Sequence, residues 1–318
     1  MKILVNDKMA EEAIQVFKDA GHDVTYEEYD MDVLISEIGK YDGIMIRSRT
    51  KLSKDHIKAG ATGNLKVIGR AGIGVDNIDI KAAAAHRIKV VNAPTGATIS
   101  VAELALGHML SLSRRLTIAD ATMKQGEWAK KQLKGTELYG KTLGLIGCGN
   151  IGIKLAELAC AFGMNVIGYD PFIDKESMAK HKITKQENLV SLAQQADFIS
   201  LHIPHIKETH YLINEEILSE MKPTAFLINC ARGGTVDEKA LYAAIKDGNL
   251  AGAALDVFEE EPPEKHPLLD LPNVVLTPHI GANTVEGQIR AGTVCAEQVL
   301  MVLNGKTPDH WVNKKMMQ

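Results

Sequence analysis

Thr142-Leu143-Gly144-Leu145-Ile146-Gly147-Cys148-Gly149-Asn150-Ile151-Gly152 decides the fold. Its first five residues read as a short buried strand. The next six form G-x-G-x-x-G and open a stretch of helical spacing from Ile151 to Phe162. A glycine triplet alone is a weak signal, because many loops contain one. Between a strand and a helix it has a physical meaning. The first glycines allow a tight turn and close backbone approach, and the helix N-terminus turns its free amides toward a pyrophosphate. Gly163 stops the helix, and a second strand, Asn165 to Tyr169, runs into Asp170. That carboxylate lies about 20 residues beyond the turn, where an acid accepts hydrogen bonds from the adenosine ribose and repels a 2′-phosphate. The stretch therefore predicts a dinucleotide site selective for NAD over NADP.

Outward from this motif the same alternation continues in both directions. Downstream, strands are readable at Phe198 to Leu201, Ala225 to Ile228, Gly252 to Leu255 and Val274 to Leu276, separated by helical or turn-rich sequence. Upstream, Lys2 to Val5, Val24 to Tyr26, Gly43 to Ile46, Leu65 to Ile68 and Lys89 to Val91 alternate with helical stretches, beginning with Met9 to Ala20 and its stop at Gly21. Ser100-Val101-Ala102-Glu103 has the pattern of a capping box and opens a long helix with Val101, Leu104, Ala105 and Leu112 on one face. The reading is α/β: a substrate-binding domain made of residues 1–98 and 285–318, split by a dinucleotide-binding domain at 99–284. Each carries a doubly wound parallel sheet. The last helical stretch, Thr284 to Leu303, would have to return to the first half.

The composition is that of an ordinary folded chain: 318 residues, 45% apolar, 24% charged, net charge −4. No basic field is available for nucleic acid or an anionic membrane surface, and no run approaches the roughly 18 apolar residues of a membrane span. The N-terminal apolar run breaks after three residues, so no secretion signal is expected. Four cysteines without C-x-x-C spacing fit a reducing, cytoplasmic setting.

Oxidation of a secondary alcohol by NAD needs a proton acceptor, a group that orients it, and a cation for the substrate's carboxylate. Three strand ends offer these. Arg232 stands in Asn229-Cys230-Ala231-Arg232-Gly233-Gly234, where a guanidinium can take a planar carboxylate in bidentate fashion. Glu261 ends the acidic turn that starts at Asp256, and His279 lies between Pro278 and Gly281. A buried glutamate there would orient the imidazole and hold it near neutral pKa. Arg47, Arg49 and Lys51 follow the strand Gly43 to Ile46 and could meet a phosphate. Against these stand plainer readings: a lone histidine is usually structural, and acidic turns are usually solvated. His202, His205 and His210 suggest a metal, but no Cys or Asp completes a standard spacing, so no metal is expected. Cys230 reads as a small buried thiol rather than a nucleophile. Gly72-Ile73-Gly74 lacks a third glycine and fits a small-anion loop better than a second dinucleotide site.

Taken together, Gly69-Arg70-Ala71-Gly72-Ile73-Gly74-Val75-Asp76-Asn77, Gly135-Thr136-Glu137-Leu138, Asn229 to Gly234, Ala254-Leu255-Asp256-Val257-Phe258 and Pro278-His279-Ile280-Gly281-Ala282 resemble, in order, the sequence blocks of the D-2-hydroxyacid dehydrogenase family. The resemblance implies two Rossmann-like domains with the active site in the cleft between them, and a homodimer formed through the NAD-binding domain. It implies that Arg232 and Glu261 act in the active site, with His279 as the proton donor in keto-acid reduction. It places Asp256 and Cys230 beside the nicotinamide, Asn150 and Ile151 at the pyrophosphate, Asp170 at the ribose, and the Gly72 to Gly74 loop at the substrate carboxylate. Ile203 and Ala282 fall within the cofactor-contacting blocks. Relatives often have Arg at the position of Asn150 and Thr at those of Ile73 and Ile203, so one charged and two hydroxyl contacts are replaced here. Longer members add a C-terminal regulatory domain for serine feedback. This chain stops at Gln318, and no inhibition of that type is expected. The leading expectation is oxidation of 3-phospho-D-glycerate to 3-phosphohydroxypyruvate, the entry step of serine biosynthesis. A reductase of glyoxylate or hydroxypyruvate is the alternative, and an NAD(H)-sensing corepressor-type protein is the third reading.

Overall fold

Twelve short parallel strands, most of them apolar runs, make up two sheets in the computed structural model, which describes residues Met1–Gln318. The chain divides into two compact units, Met1–Thr98 with Ala282–Gln318, and Ile99–Gly281.

The first unit holds β1 (Lys2–Val5), β2 (Asp23–Tyr26), β3 (Gly43–Ile46), β4 (Val67–Arg70) and β5 (Lys89–Asn92), in the order β2-β1-β3-β4-β5. Both faces are covered, which is why these strands read as near-continuous apolar runs rather than alternating ones. On one face Ile3, Val5, Met45, Val67 and Val91 pack with Phe17 of the helix Glu11–Asp19 and with Ala291, Cys295 and Val299 of the helix Val285–Leu303. On the other, Leu4, Ile44, Ile46, Ile68 and Val90 pack with Leu34, Ile57 and Ala83 of three shorter helices. Each fully buried Val, Leu, Ile, Met or Phe among them contributes about 1.5–3 kcal/mol. The free edge of β5 is covered by the C-terminal segment. Trp311 bridges Val91 in antiparallel fashion, and the buried Asn313 amide accepts from Val90 N and Trp311 Nε1 and donates to Ile88 O.

The second unit holds β6 (Thr142–Ile146), β7 (Asn165–Tyr169), β8 (Thr184–Lys185), β9 (Phe198–Leu201), β10 (Phe226–Asn229), β11 (Gly252–Leu255) and β12 (Val274–Leu276), in the order β12-β11-β10-β9-β6-β7-β8. Its core gathers Ile146, Ile199, Leu201, Leu227 and Leu255 with Leu192, Leu218 and Leu241 from the covering helices. In each sheet the strand order reverses once, between β1 and β3 and between β6 and β9. Those points open crevices at the strands' C-terminal ends.

Local expectations shift at three elements, the first being β10, which runs Phe226–Asn229 rather than Ala225 to Ile228 because Phe226 pairs with Phe198 and Asn229 with Leu201. β4 starts at Val67 and runs to Arg70, because Ile44 pairs with Ile68 and Ile46 with Arg70. The long helix spans Thr98–Arg114, so Ser100 lies buried inside its first turn and Ser100-Val101-Ala102-Glu103 does not open it. No helix is long and apolar enough to cross a membrane.

Candidate active site

The sequence-predicted residues of the second unit all stand at C-terminal strand ends. Asp170 follows β7, the glycine turn follows β6, Ile203 follows β9, Cys230 and Arg232 follow β10, Asp256 and Glu261 follow β11, and His279 follows β12. Six neighbouring strands thus deliver them to one edge of one sheet.

The glycine turn has the form a pyrophosphate requires. Gly147 takes φ +91°, and a Cβ there would stand 2.6 Å from His202 O. A Cβ on Gly152 would stand 2.3 Å from Gly147 O, so the first turn of the helix Asn150–Ala161 packs on the loop that feeds it. A Cβ on Gly149 would meet nothing within 4 Å, which leaves the amides there open to a ligand. Asp170 accepts from Cys148 N at 3.0 Å with one oxygen and from Phe172 N at 2.9 Å with the other, which ties it to the turn. Its lone pairs still suit ribose hydroxyls. These residues fit NAD: Gly147, Gly149, Asn150, Ile151 and Gly152 for the pyrophosphate, Asp170 for the ribose, and Ile203 as apolar cover beside Gly147.

His202, weighed in the sequence only as a metal ligand, supports this turn. Its Nε2 lies 3.0 Å from Ser200 Oγ, and burial lowers its pKa to about 4, so it is a neutral imidazole at physiological pH. His205 and His210 pair with each other instead, at 3.0 Å.

Asn229 shapes the turn that presents Arg232. Its Oδ1 accepts from Ala231 N, and its Nδ2 donates to Arg232 O and Thr235 Oγ1. It was missed in the sequence, although an Asn at a strand end before Arg-Gly-Gly is an Asx-turn signal. A Cβ on Gly233 would stand 1.8 Å from Phe258 O. Only glycine lets the Arg232 turn lie against the loop that carries Glu261. Cys230 is 8% exposed, and burial, then Asp256, pushes its thiol well above the usual range. Burial of a small thiol at the end of an apolar strand favours the protonated form, which is a poor nucleophile.

Glu261 Oε2 lies 2.8 Å from His279 Nδ1, and Glu261 Oε1 accepts from Phe258 N. With Nδ1 engaged by the carboxylate, Nε2 is the nitrogen left for proton exchange. The expected burial of this pair is not found. The two side chains are 39% and 48% exposed, because the Glu259–Lys265 loop runs out beyond the strand ends. A pocket of about 200 Å³ is lined by Phe258, Glu261, Pro262, Pro263, Pro278 and His279. Asp256 is 1% exposed and accepts from Ile280 N and Gly281 N, so it holds the His279 loop from within.

In the first unit, Arg47 and Arg49 follow β3 at the β1/β3 reversal. The organiser of this loop is Asp7, which is almost fully buried. Its carboxylate accepts from Arg47 N, Thr50 N, Thr50 Oγ1 and Arg49 Nε. Asn77 Nδ2 pins the same loop by donating to Arg47 O and Thr50 O, both at 2.7 Å. Arg49 is also 3.6 Å from Glu28 and donates to Asn6 O, so its charge is directed onto its own unit. Arg47 instead lines a small pocket, about 20 Å³, with Gly72, Ala97, Ala282 and Gln288. Arg70, at the end of β4, lays its guanidinium where a Cβ on Gly72 would be. Nothing in the sequence around Arg70 signals this placement. Asn92 Nδ2 donates to Ile73 O at 2.6 Å and steadies the Gly72 to Gly74 loop.

Residues 106–281 match the family described as D-isomer specific 2-hydroxyacid dehydrogenase, NAD binding domain. The chain is 48% identical, over 98% of its length, to a D-3-phosphoglycerate dehydrogenase of Methanocaldococcus jannaschii, of which it covers 59%. It thus spans little more than half the length of that relative. A hydroxypyruvate reductase of Thermotoga maritima is 45% identical over 95% of this chain and 98% of its own. Among solved structures, a protein of Thermus thermophilus superposes with a TM-score of 0.88 at 34% identity, covering 98% of this chain and 100% of that one. With the fold, the glycine turn and the Glu261–His279 pair in place, these matches show that the chain belongs to the D-isomer-specific 2-hydroxyacid dehydrogenases and carries their NAD-binding domain.

Proposed function

We propose that this protein oxidises 3-phospho-D-glycerate to 3-phosphohydroxypyruvate with NAD, and catalyses the reverse reduction. The observation that carries the chemistry is the 2.8 Å contact between Glu261 and His279 Nδ1 on the sheet edge that holds the glycine turn. NAD, when bound, accepts the hydride from C2 of the alcohol. His279 Nε2 takes the hydroxyl proton as the alcohol becomes a ketone, and returns it in reduction. Glu261 stabilises the resulting imidazolium, and Arg232 takes the substrate's carboxylate. Arg47 supplies the cation for the phosphate, with Arg70 and the Gly72 to Gly74 loop as further anion contacts. Residues 1–98 with the C-terminal helix serve as the substrate-binding domain and 99–284 as the cofactor domain.

One observation favours the alternative, a reductase of hydroxypyruvate or glyoxylate: Arg49 is engaged by Asp7 and Glu28, so less positive charge remains for a phosphate. Parallel NADH oxidation with 3-phosphohydroxypyruvate, hydroxypyruvate and glyoxylate decides. The expected kcat/KM preference for the phosphorylated acid is on the order of 10²-fold, and Arg47→Ala abolishes it. Equal or reversed preference establishes the unphosphorylated substrate, and NADH binding without turnover establishes the sensor.

A homodimer through the cofactor domain belongs to the same proposal. It is supported by the helix Leu116–Lys124, which buries no residue, and by the exposure of Leu116, Met123, Trp128 and Tyr139. Four free cysteines support a reducing, cytoplasmic setting.

A further inference from the structure

A buried polar chain lies behind the His279 loop, and it starts at a residue with no part in the proposed reaction. His108, on the helix Thr98–Arg114, is 3% exposed, and its Nε2 lies 3.2 Å from Thr277 Oγ1. Thr277 Oγ1 donates to Asp256 Oδ1 at 2.6 Å. The hydroxyl has a single proton, and the carboxylate can only accept it. The lone pair of Thr277 therefore takes the Nε2–H of His108, which fixes the tautomer. Asp256 then receives Ile280 N and Gly281 N, each at 2.8 Å, and His279 N donates to Thr277 O at 3.0 Å. Between these anchors His279 has φ +52°, a left-handed backbone uncommon for a residue with a Cβ.

We propose that His108 is a positioning residue for proton transfer: acting through Thr277 and Asp256, it fixes the 277–281 backbone from which His279 reaches Glu261. The inference rests on the reading of His279 as the acid–base group. Burial lowers the pKa of His108, and Asp256, the charged group facing it, raises it in part, so His108 serves as a neutral donor. Cys230, which also feels Asp256, keeps its proton and adds no charge. Without His108 the Thr277 hydroxyl loses the partner that aims it, Asp256 loses an oriented donor, and the strained turn relaxes. The imidazole of His279 then drifts from Glu261.

His108→Leu, His108→Gln, Thr277→Val and His279→Gln test this with two readouts. One is kcat and KM against pH for NADH-dependent keto-acid reduction. The other is an NMR titration of the histidine Cε1 protons in the unliganded protein, with the His279 resonance identified by its loss in His279→Gln. His108→Leu and Thr277→Val are expected to lower kcat roughly three- to tenfold, with KM for NADH within about twofold, the size of one lost hydrogen bond in the chain. Both should change the His279 titration, and His108→Gln, which retains a donor, should restore rate and titration. A folded His108→Leu protein with unchanged kcat and unchanged His279 titration overturns the proposal. So does a rate loss that His108→Gln fails to rescue and that leaves the titration in place. If His108→Leu does not fold, Thr277→Val decides by the same two measurements. Full turnover in His279→Gln overturns the acid–base reading alone, and the titration still decides whether His108 governs His279.

Discussion

Glu261 and His279 show what a half-exposed pair can and cannot do. Water screens it, so it adds little to folding stability. It keeps the imidazole in one tautomer and, in the proposed reaction, gives the imidazolium a partner. Glu261→Gln is expected to reduce kcat for keto-acid reduction by roughly 10- to 100-fold. Glu238 behaves differently. It is 5% exposed, accepts from Glu259 N, lies 3.1 Å from His266 Nε2, and burial raises its pKa to about 7. The folded protein thus holds this proton more tightly than the unfolded chain. The resulting stability is complete below the unfolded value near 4.5 and is lost as pH rises through 7. Glu238→Gln mimics the protonated form, so its Tm should match the parent at pH 4 and exceed it by several degrees at pH 8, as differential scanning fluorimetry would read.

The glycine turn, the Arg232 turn and the Arg47 loop are each set by a partner remote in sequence, and this determines how much could be read in advance. The G-x-G-x-x-G turn was legible because its demands are local: a strand, three glycines, a helix start and an acid at the next strand end. β8 was not, since two residues, Thr184–Lys185, carry no periodicity. Asp7 was invisible as an organiser because its four donors lie some 40 residues downstream, brought to it only when β1 pairs with β3. Arg49 read as a phosphate ligand for the same reason, since nothing nearby in the sequence announced Asp7 or Glu28. The exposure of Glu261 also escaped, because the sequence gives a loop's residues but not how far it projects. Asp7→Asn leaves the loop a neutral amide with one acceptor oxygen where several donors converge. The expected cost is about 1–3 kcal/mol in urea denaturation, with a severalfold rise in KM for the keto acid and little change in KM for NADH.

At the scale of the whole molecule, sequence periodicity anticipated two parallel sheets because both faces of each are covered. The association state is carried by surface rather than by pattern. Trp128→Glu with Met123→Glu places two charges in the exposed apolar stretch after Arg115. Light scattering coupled to gel filtration should then report half the parent mass with the near-UV spectrum of a folded protein. A parent protein that already elutes as a monomer rules out the dimer.

The helix Val285–Leu303, which covers one face of the first sheet, also sets a timetable for synthesis. Ile3, Val5, Met45, Val67 and Val91 leave the ribosome long before Ala291, Cys295 and Val299 exist to cover them. The whole interval from Ile99 to Gly281 must be translated in between, on the order of 10 to 40 seconds at cellular elongation rates. Throughout that interval the nascent chain presents an apolar sheet face covered only in part, by the helix Glu11–Asp19, while the inserted unit can close on its own. The earliest residues made are therefore among the last to reach their final packing, and the newborn chain should be a client of ribosome-associated holding factors in a way the finished protein is not.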